Sequence, residues 1–174
     1  MTEYVDKLTS EFLVNSLKKT VALSGTPLDE IQQECYLIPI FYSKVNLLEH
    51  LLKNDIELSK VLIFVATKTD ADRLYEILSA NNEVSVIHAK KEQNYRTKSI
   101  DKFEKGINKI LNATEVTSRG IDLEKISTVI SFNTPLYHEN YIHRIGRTAR
   151  AGQPGKSILF FNEDEKQLKK TLKN

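Results

Sequence analysis

The sequence has a single cysteine, no apolar run of membrane length and almost no net charge. With Cys35 as the lone thiol an internal disulfide is excluded. No Cys/His cluster has zinc-site spacing, so no metal site is expected. One thiol fits a reducing, cytoplasmic setting. No hydrophobic stretch nears the ~20 residues that span a bilayer. The start, Met1-Thr2-Glu3-Tyr4-Val5-Asp6, lacks the basic segment and apolar run of a signal peptide. A net charge of +2, from 25 Lys+Arg and 23 Asp+Glu, means that any attraction to nucleic acid depends on where the charges sit. Internal repeats and low-complexity tracts are missing, although the tail from Glu163 is charge-rich.

What remains is an ordinary globular composition, 40% hydrophobic and 28% charged over 174 residues, enough for one domain with a real core. Residues 1–33 stand apart. Val5, Leu8, Phe12 and Leu13 fall at helical spacing, and Ser24-Gly25-Thr26-Pro27 then reads as a linker. The main domain is expected over 34–174. There, apolar runs at Tyr36–Pro39, Val61–Ala66, Val84–Ile87, Lys109–Ala113, Thr128–Phe132 and Ser157–Phe161 alternate with helical patterns at 43–53, 69–80, 92–105 and 138–147, with a last one from 164. Such alternation predicts an α/β fold, a parallel sheet flanked by helices on both faces. Ligands bind such sheets at the carboxyl ends of the strands, where loops converge and helix N-termini point.

Three segments follow predicted strands. His143-Arg144-Ile145-Gly146-Arg147-Thr148-Ala149-Arg150-Ala151-Gly152 is the densest. If the helix from 138 continues through it, His143, Arg147 and Arg150 share one face. A solvated basic helix end is the plain explanation. The two bracketing glycines and the placement one short helix after a strand favour an anion site, because guanidinium forks match phosphate oxygens. Ala113 to Asp122 follows the strand ending at 113; a hydroxyl there can donate to phosphate, and an Asp can accept from a ribose. Thr, Ser and Asp are equally ordinary cap residues. In His88–Arg96, Gln93 and Arg96 lie three apart, and Lys90, Lys91, Arg96, Lys98 and Lys102 form the most basic stretch of the middle of the chain. A solvated face and a phosphate-contacting face fit it equally.

Two strings mislead. Gly155-Lys156-Ser157 resembles the end of a phosphate-binding loop, but Arg150 occupies the required upstream glycine position and a strand follows instead of a helix. Asn112-Ala113-Thr114 fits a glycosylation sequon at a strand end, where it has no use.

Taken in order and spacing, these segments resemble the second RecA-like motor domain of DEAD-box RNA helicases over residues 34–162. HRIGRTARAG at 143–152 is similar to that family's motif VI, ATEVTSRGID at 113–122 to motif V and VLIFVATK at 61–68 to motif IV. His88, Gln93 and Arg96 fit its H-G-x-x-x-Q-x-x-R segment, and VISFNTP at 129–135 the strand before motif VI. Residues 1 to about 24 are similar to the helix that follows the first domain's S-A-T motif. The family's phosphate loop and Asp-Glu-Ala-Asp string do not occur in these residues. The resemblance therefore implies a piece of a longer protein whose N-terminal RecA-like domain is a missing partner.

The roles implied are specific. Arg147 and Arg150 are expected as arginine fingers on the ATP γ-phosphate, and Asp122 as acceptor from the ATP ribose. Magnesium is expected to be held mainly by the first domain. Thr114, Arg96 and Gly120 are expected at the RNA, with Gln93 supporting them. Phe64 is expected behind the motif VI arginines, with His143 and Arg144 linking that motif to its neighbours. Three positions depart from the family pattern: Ala89 and Ala149 replace glycine, and Glu115 stands where Asp is commoner. The implied parent is an RNA-dependent ATPase that closes on ATP and RNA and disrupts short duplexes. A membrane role is not expected, and neither the RNA nor any protein partner is specified. A non-catalytic RNA- or partner-binding module and a DNA translocase domain are the competing readings.

Overall fold

The computed structural model describes residues 31–115, 123, 126–148 and 155–162. Their elements run β1 (Ile31–Leu37), α1 (Phe41–Asn54), β2 (Val61–Val65), α2 (Lys68–Leu78), β3 (Val84–Ile87), α3 (Gln93–Glu104), β4 (Ile110–Thr114), β5 (Thr128–Ser131), α4 (His138–Ile145) and β6 (Gly155–Phe161). The six strands form one sheet of order β1-β6-β5-β2-β4-β3, parallel at every pairing.

The pleat divides side chains between two faces. Val61, Ile63, Val65, Ile130, Ile158 and Phe160 point to one face, where α1 and α2 cover them with Val45, Leu48, Ala71 and Leu74. Leu62, Phe64, Leu111, Ala113 and Val129 point to the other, under Phe103 of α3. On that same side Ile31, Cys35, Leu159 and Phe161 pack under Tyr141 and Ile145 of α4. Both faces are buried, which is why β2 carries no polar residue and β3 only Ser85.

β1 begins at Ile31, five residues before the apolar run that starts at Tyr36 and ahead of the domain start expected at 34. Gln32, Gln33 and Glu34 hide the strand from an apolar pattern. Partners inside the fold offset much of their polarity: Glu34, 2% exposed, accepts hydrogen bonds from Gln32 Nε2 at 2.9 Å and Tyr36 Oη at 2.8 Å, and Gln33 Oε1 accepts from Tyr141 Oη at 2.9 Å. Burial, followed by the bond to Glu34 and its charge, pushes the Tyr36 phenol well above its usual range.

Lys156, from the string that mimics a phosphate loop, completes this cluster. It lies near the start of β6, at the opposite edge from the carboxyl ends, with its ammonium 2.6 Å from Asp55, 3.4 Å from Glu57 and 3.6 Å from Glu34. Burial disfavours its charge, but these carboxylates outweigh burial and raise its pKa. Asn112 of the sequon is fully buried in β4 and donates to the Ala71 carbonyl at 2.6 Å.

Candidate functional site

The strand register fixes where the loops emerge. Ile87, Ala113, Phe64, Ser131, Leu159 and Cys35 lie on one rung across all six strands. Just beyond it, at the carboxyl edge, come His88, Thr114 and Glu115, Ala66, and Phe132 and Asn133. Four of the sequence segments therefore open onto one edge.

Arg144 ties them together. It is 4% exposed, near the end of α4. Its Nη2 donates to Glu115 Oε2 at 3.0 Å, its Nη1 to the Asn133 carbonyl at 2.9 Å, and its guanidinium stands over the Phe64 ring at 5.1 Å. One side chain thus bridges the residue after β4, the loop after β5 and the inner face of β2. Burial lowers the Arg144 pKa, with Glu115 opposing that shift. An arginine nevertheless stays charged at physiological pH.

The loop after β5 is clamped from several sides. Lys44 of α1, itself buried, donates to the Phe132 carbonyl at 3.1 Å, and Asn133 Oδ1 accepts from the Ala66 N–H at 3.0 Å. Thr134 Oγ1 donates to the Phe160 carbonyl at 3.5 Å. Neither Lys44 nor Asn133 stands out as a site residue in the sequence. Asn133 could have been found, as a polar residue at a strand's carboxyl end. Nothing in a helical sequence announces that a lysine ammonium is turned inward.

Helix α4 corrects the one-face reading of motif VI. It ends at Ile145, not 147, with Gly146 as its cap. Glycine is a poor helix continuer, and the next turn tightens, with Arg147 N–H bonding to the Arg144 carbonyl and Thr148 N–H to that of Ile145. The Thr148 hydroxyl donates to the carbonyl of Ile126 at 2.8 Å, which draws the chain toward the amino edge. Arg147 is half-buried on this turn and His143 is exposed on the helix, so the two do not share a continuous helical face. Arg150, Gly120, Asp122 and Ala149 lie outside the described residues.

On the far side of the edge, Gln93 opens α3 and its Oε1 accepts from Arg96 Nη1 at 2.9 Å. His88 is buried; its Nδ1 accepts the Lys90 N–H at 3.3 Å, so Nε2 carries the proton that meets Asp72 Oδ1 at 2.9 Å. Lys91 reaches the same oxygen at 2.9 Å. Burial pushes the Asp72 carboxyl up, but the bonds from His88 and Lys91 outweigh it and hold the group below its usual value. The turn containing Ala89 is closed by the Lys91 N–H on the His88 carbonyl at 2.9 Å. Thr114 is buried at the end of β4, opposite Val65. Among the described residues no group of three His, Cys, Asp or Glu could hold a metal ion, and no helix is long and apolar enough to cross a membrane.

Comparison with known proteins agrees with this arrangement. Residues 43–152 match the model of the helicase conserved C-terminal domain. The ATP-dependent rRNA helicase RRP3 of Vanderwaltozyma polyspora is 33% identical over 169 residues, covering 97% of this chain and 33% of that protein. The chain spans about a third of the length of such curated relatives. Among solved structures, the DEAD-box protein SrmB of E. coli, bound to the regulator RraA, superposes with a TM-score of 0.72 at 32% identity over 77% of this chain and 79% of that one. Helicase domain 2 of Mss116p, bound to an RNA duplex, gives 0.71 at 32% identity over 81% of this chain and 58% of that one. With the matched segments gathered at one edge of a six-stranded parallel sheet, the chain belongs to the helicase conserved C-terminal domain family, as a RecA-like C-terminal domain of the DEAD-box type.

Proposed function

We propose that this domain is the second motor domain of an ATP-dependent RNA helicase, supplying arginine fingers for ATP hydrolysis and half of the surface that grips RNA. The observation that carries the reading is the Arg144 bridge. A buried guanidinium joins Glu115, Asn133 and Phe64 three residues before Arg147. That anchors the end of α4, from which the turn bearing Arg147 leaves, to the carboxyl edge through contacts within the chain, a support that preorganised charge stabilisation needs.

ATP would lie between this domain and the first one, which would hold most of the magnesium. Arg147 and Arg150 would face the γ-phosphate and Asp122 the ribose. An arginine finger offsets charge as it develops on the transferred phosphoryl group and is worth roughly 10³–10⁵ in rate. Thr114, Arg96 and Gly120 would meet the RNA backbone, with Gln93 holding the Arg96 guanidinium. Phosphate contacts of that kind position a strand without reading its bases. The RNA duplex seen on domain 2 of Mss116p supports this half of the proposal. ATP and RNA, each spanning both domains, would each favour closure and so the other's binding.

The test is ATP hydrolysis by the two-domain parent with single-stranded RNA, with matched DNA and with neither, beside its Arg147→Ala variant. Stimulation by RNA alone, lost about 10³-fold in the variant, is the expected result. Equal stimulation by DNA would point to a translocase. Absence of stimulated hydrolysis would leave a binding module.

A further inference from the structure

On the helical layer of α1 and α2, Arg73 is held in a way that the nucleotide and RNA roles do not explain. Its guanidinium sits 4.3 Å from the Phe41 ring and 4.5 Å from that of Tyr42. The two rings meet edge to face at 85°, so they form a corner that fixes the guanidinium plane. Phe41 is anchored in turn, packing against Phe132 at 5.3 Å.

The contacts of Arg73 end there: it makes no hydrogen bond or ion pair among the described residues. Of the acids near it on α2, Asp70 is engaged with Thr67 and Asp72 with His88 and Lys91, and Glu76, three residues on, forms no ion pair with it. Among the described residues the N–H donors of this stacked, exposed guanidinium therefore have no acceptor. Beside it, Ile40 is 58% and Tyr42 57% exposed. Arginine, tyrosine and an aliphatic side chain on a rigid base are the makings of an interface anchor.

We propose that Arg73, Tyr42 and Ile40 form a docking surface for a short segment of a partner protein that carries a carboxylate next to an apolar side chain. Charge decides for protein over nucleic acid. Helices α1 and α2 together carry four Lys/Arg and four Asp/Glu, so the layer has no basic field to hold a phosphate backbone. Residues 90–105, around α3 on the opposite face, carry six Lys/Arg against three Asp/Glu. A carboxylate takes a guanidinium fork in a bidentate pair, while the exposed Tyr42 and Ile40 accept its apolar neighbour.

Binding of a fluorescein-labelled ten-residue peptide of alternating Leu and Glu to the whole 174-residue chain tests this, by anisotropy and by the Arg Nε–H signals in NMR. The comparison probes are the Leu/Gln peptide and ten-residue oligouridine. The Leu/Glu peptide is expected to bind and to shift the Arg73 signal, about tenfold more tightly than the Leu/Gln peptide. Arg73→Gln and Tyr42→Ala, both surface changes, should each weaken it about tenfold, with Lys53→Ala on the far end of α1 leaving it unchanged. Equal binding by Arg73→Gln, an Arg73 signal moved by oligouridine but not by the acidic peptide, or no shift with any probe would each overturn the proposal.

Discussion

Arg144 shows how a buried charge can organise a site before any ligand arrives. Its guanidinium is out of water, and removing a charge from water costs several kcal/mol unless partners replace the lost hydration. Glu115, the Asn133 carbonyl and the Phe64 ring do so here for much of the group, while its Nε is buried without a hydrogen bond among the described residues. The acid that replaces a commoner Asp at position 115 thus has a clear task, and its longer side chain still meets Arg144 at 3.0 Å. Removing Glu115 strands the guanidinium. Glu115→Ala is expected to lower stability by about 3 kcal/mol. Glu115→Gln, which keeps an acceptor, should lose only about 1 kcal/mol. Urea unfolding of the two variants separates them, and equal losses would show that Arg144 finds its compensation elsewhere.

At the scale of elements, α2 makes the same point about local rules. Thr67 caps it: the hydroxyl accepts from the Asp70 N–H at 3.0 Å and donates to the Asp70 carboxylate at 2.8 Å. An acid in the first turn also faces the positive end of the helix dipole. Thr67→Ala should therefore cost about 1 kcal/mol and Thr67→Ser almost nothing, read as midpoint shifts in urea. An unchanged midpoint for Thr67→Ala would mean that packing of Ala71 and Leu74 alone sets where the helix starts. Elements with such signals were legible in the sequence, as were β2, an unbroken apolar run, and β3, apolar but for Ser85, both buried on two faces. β1 was legible only in its last two residues, Tyr36 and Leu37, because Gln32 to Glu34 are polar, and the partners of Gln33 and Glu34, among them Tyr141 and Lys156, are invisible to periodicity. The end of α4 was misjudged by two residues, since the Thr148 hydroxyl turns the chain toward Ile126. At the candidate edge, the segments themselves could be read from the sequence. The family resemblance implied that Arg144 links its motif to neighbours. Its partners Glu115 and Asn133, the inward Lys44 and the His88–Asp72 pair could not be read, because they join residues 11 to 88 positions apart.

For the whole molecule, the sheet order sets what one domain can do alone. β1 and β6, at opposite ends of the described chain, pair along seven residues, and β6 then joins β1 to the central strands. The carboxyl ends of all six strands thereby lie along one continuous edge. Among the described residues beside it, Arg96 is bonded to Gln93 while His88 and Lys44 are committed to internal bonds. In the proposed reading Arg147 and Arg150 would supply the positive charge that a phosphate needs. The loop that would hold the nucleotide's phosphates has no counterpart in this sequence, where Lys156, the lysine of the one similar string, is tied to Asp55, Glu57 and Glu34. In the proposed mechanism finger and cradle act as a unit, so a finger without its cradle would have nothing positioned to accelerate. The purified 174-residue chain is therefore expected to release no phosphate from ATP above the uncatalysed background, with or without RNA. It should still bind single-stranded RNA weakly, with affinity falling as salt rises, and Arg96→Ala should flatten that dependence by about 0.7 in log–log slope. Robust turnover by the chain alone would overturn the half-site reading, and a salt dependence untouched by Arg96→Ala would move the RNA path away from α3.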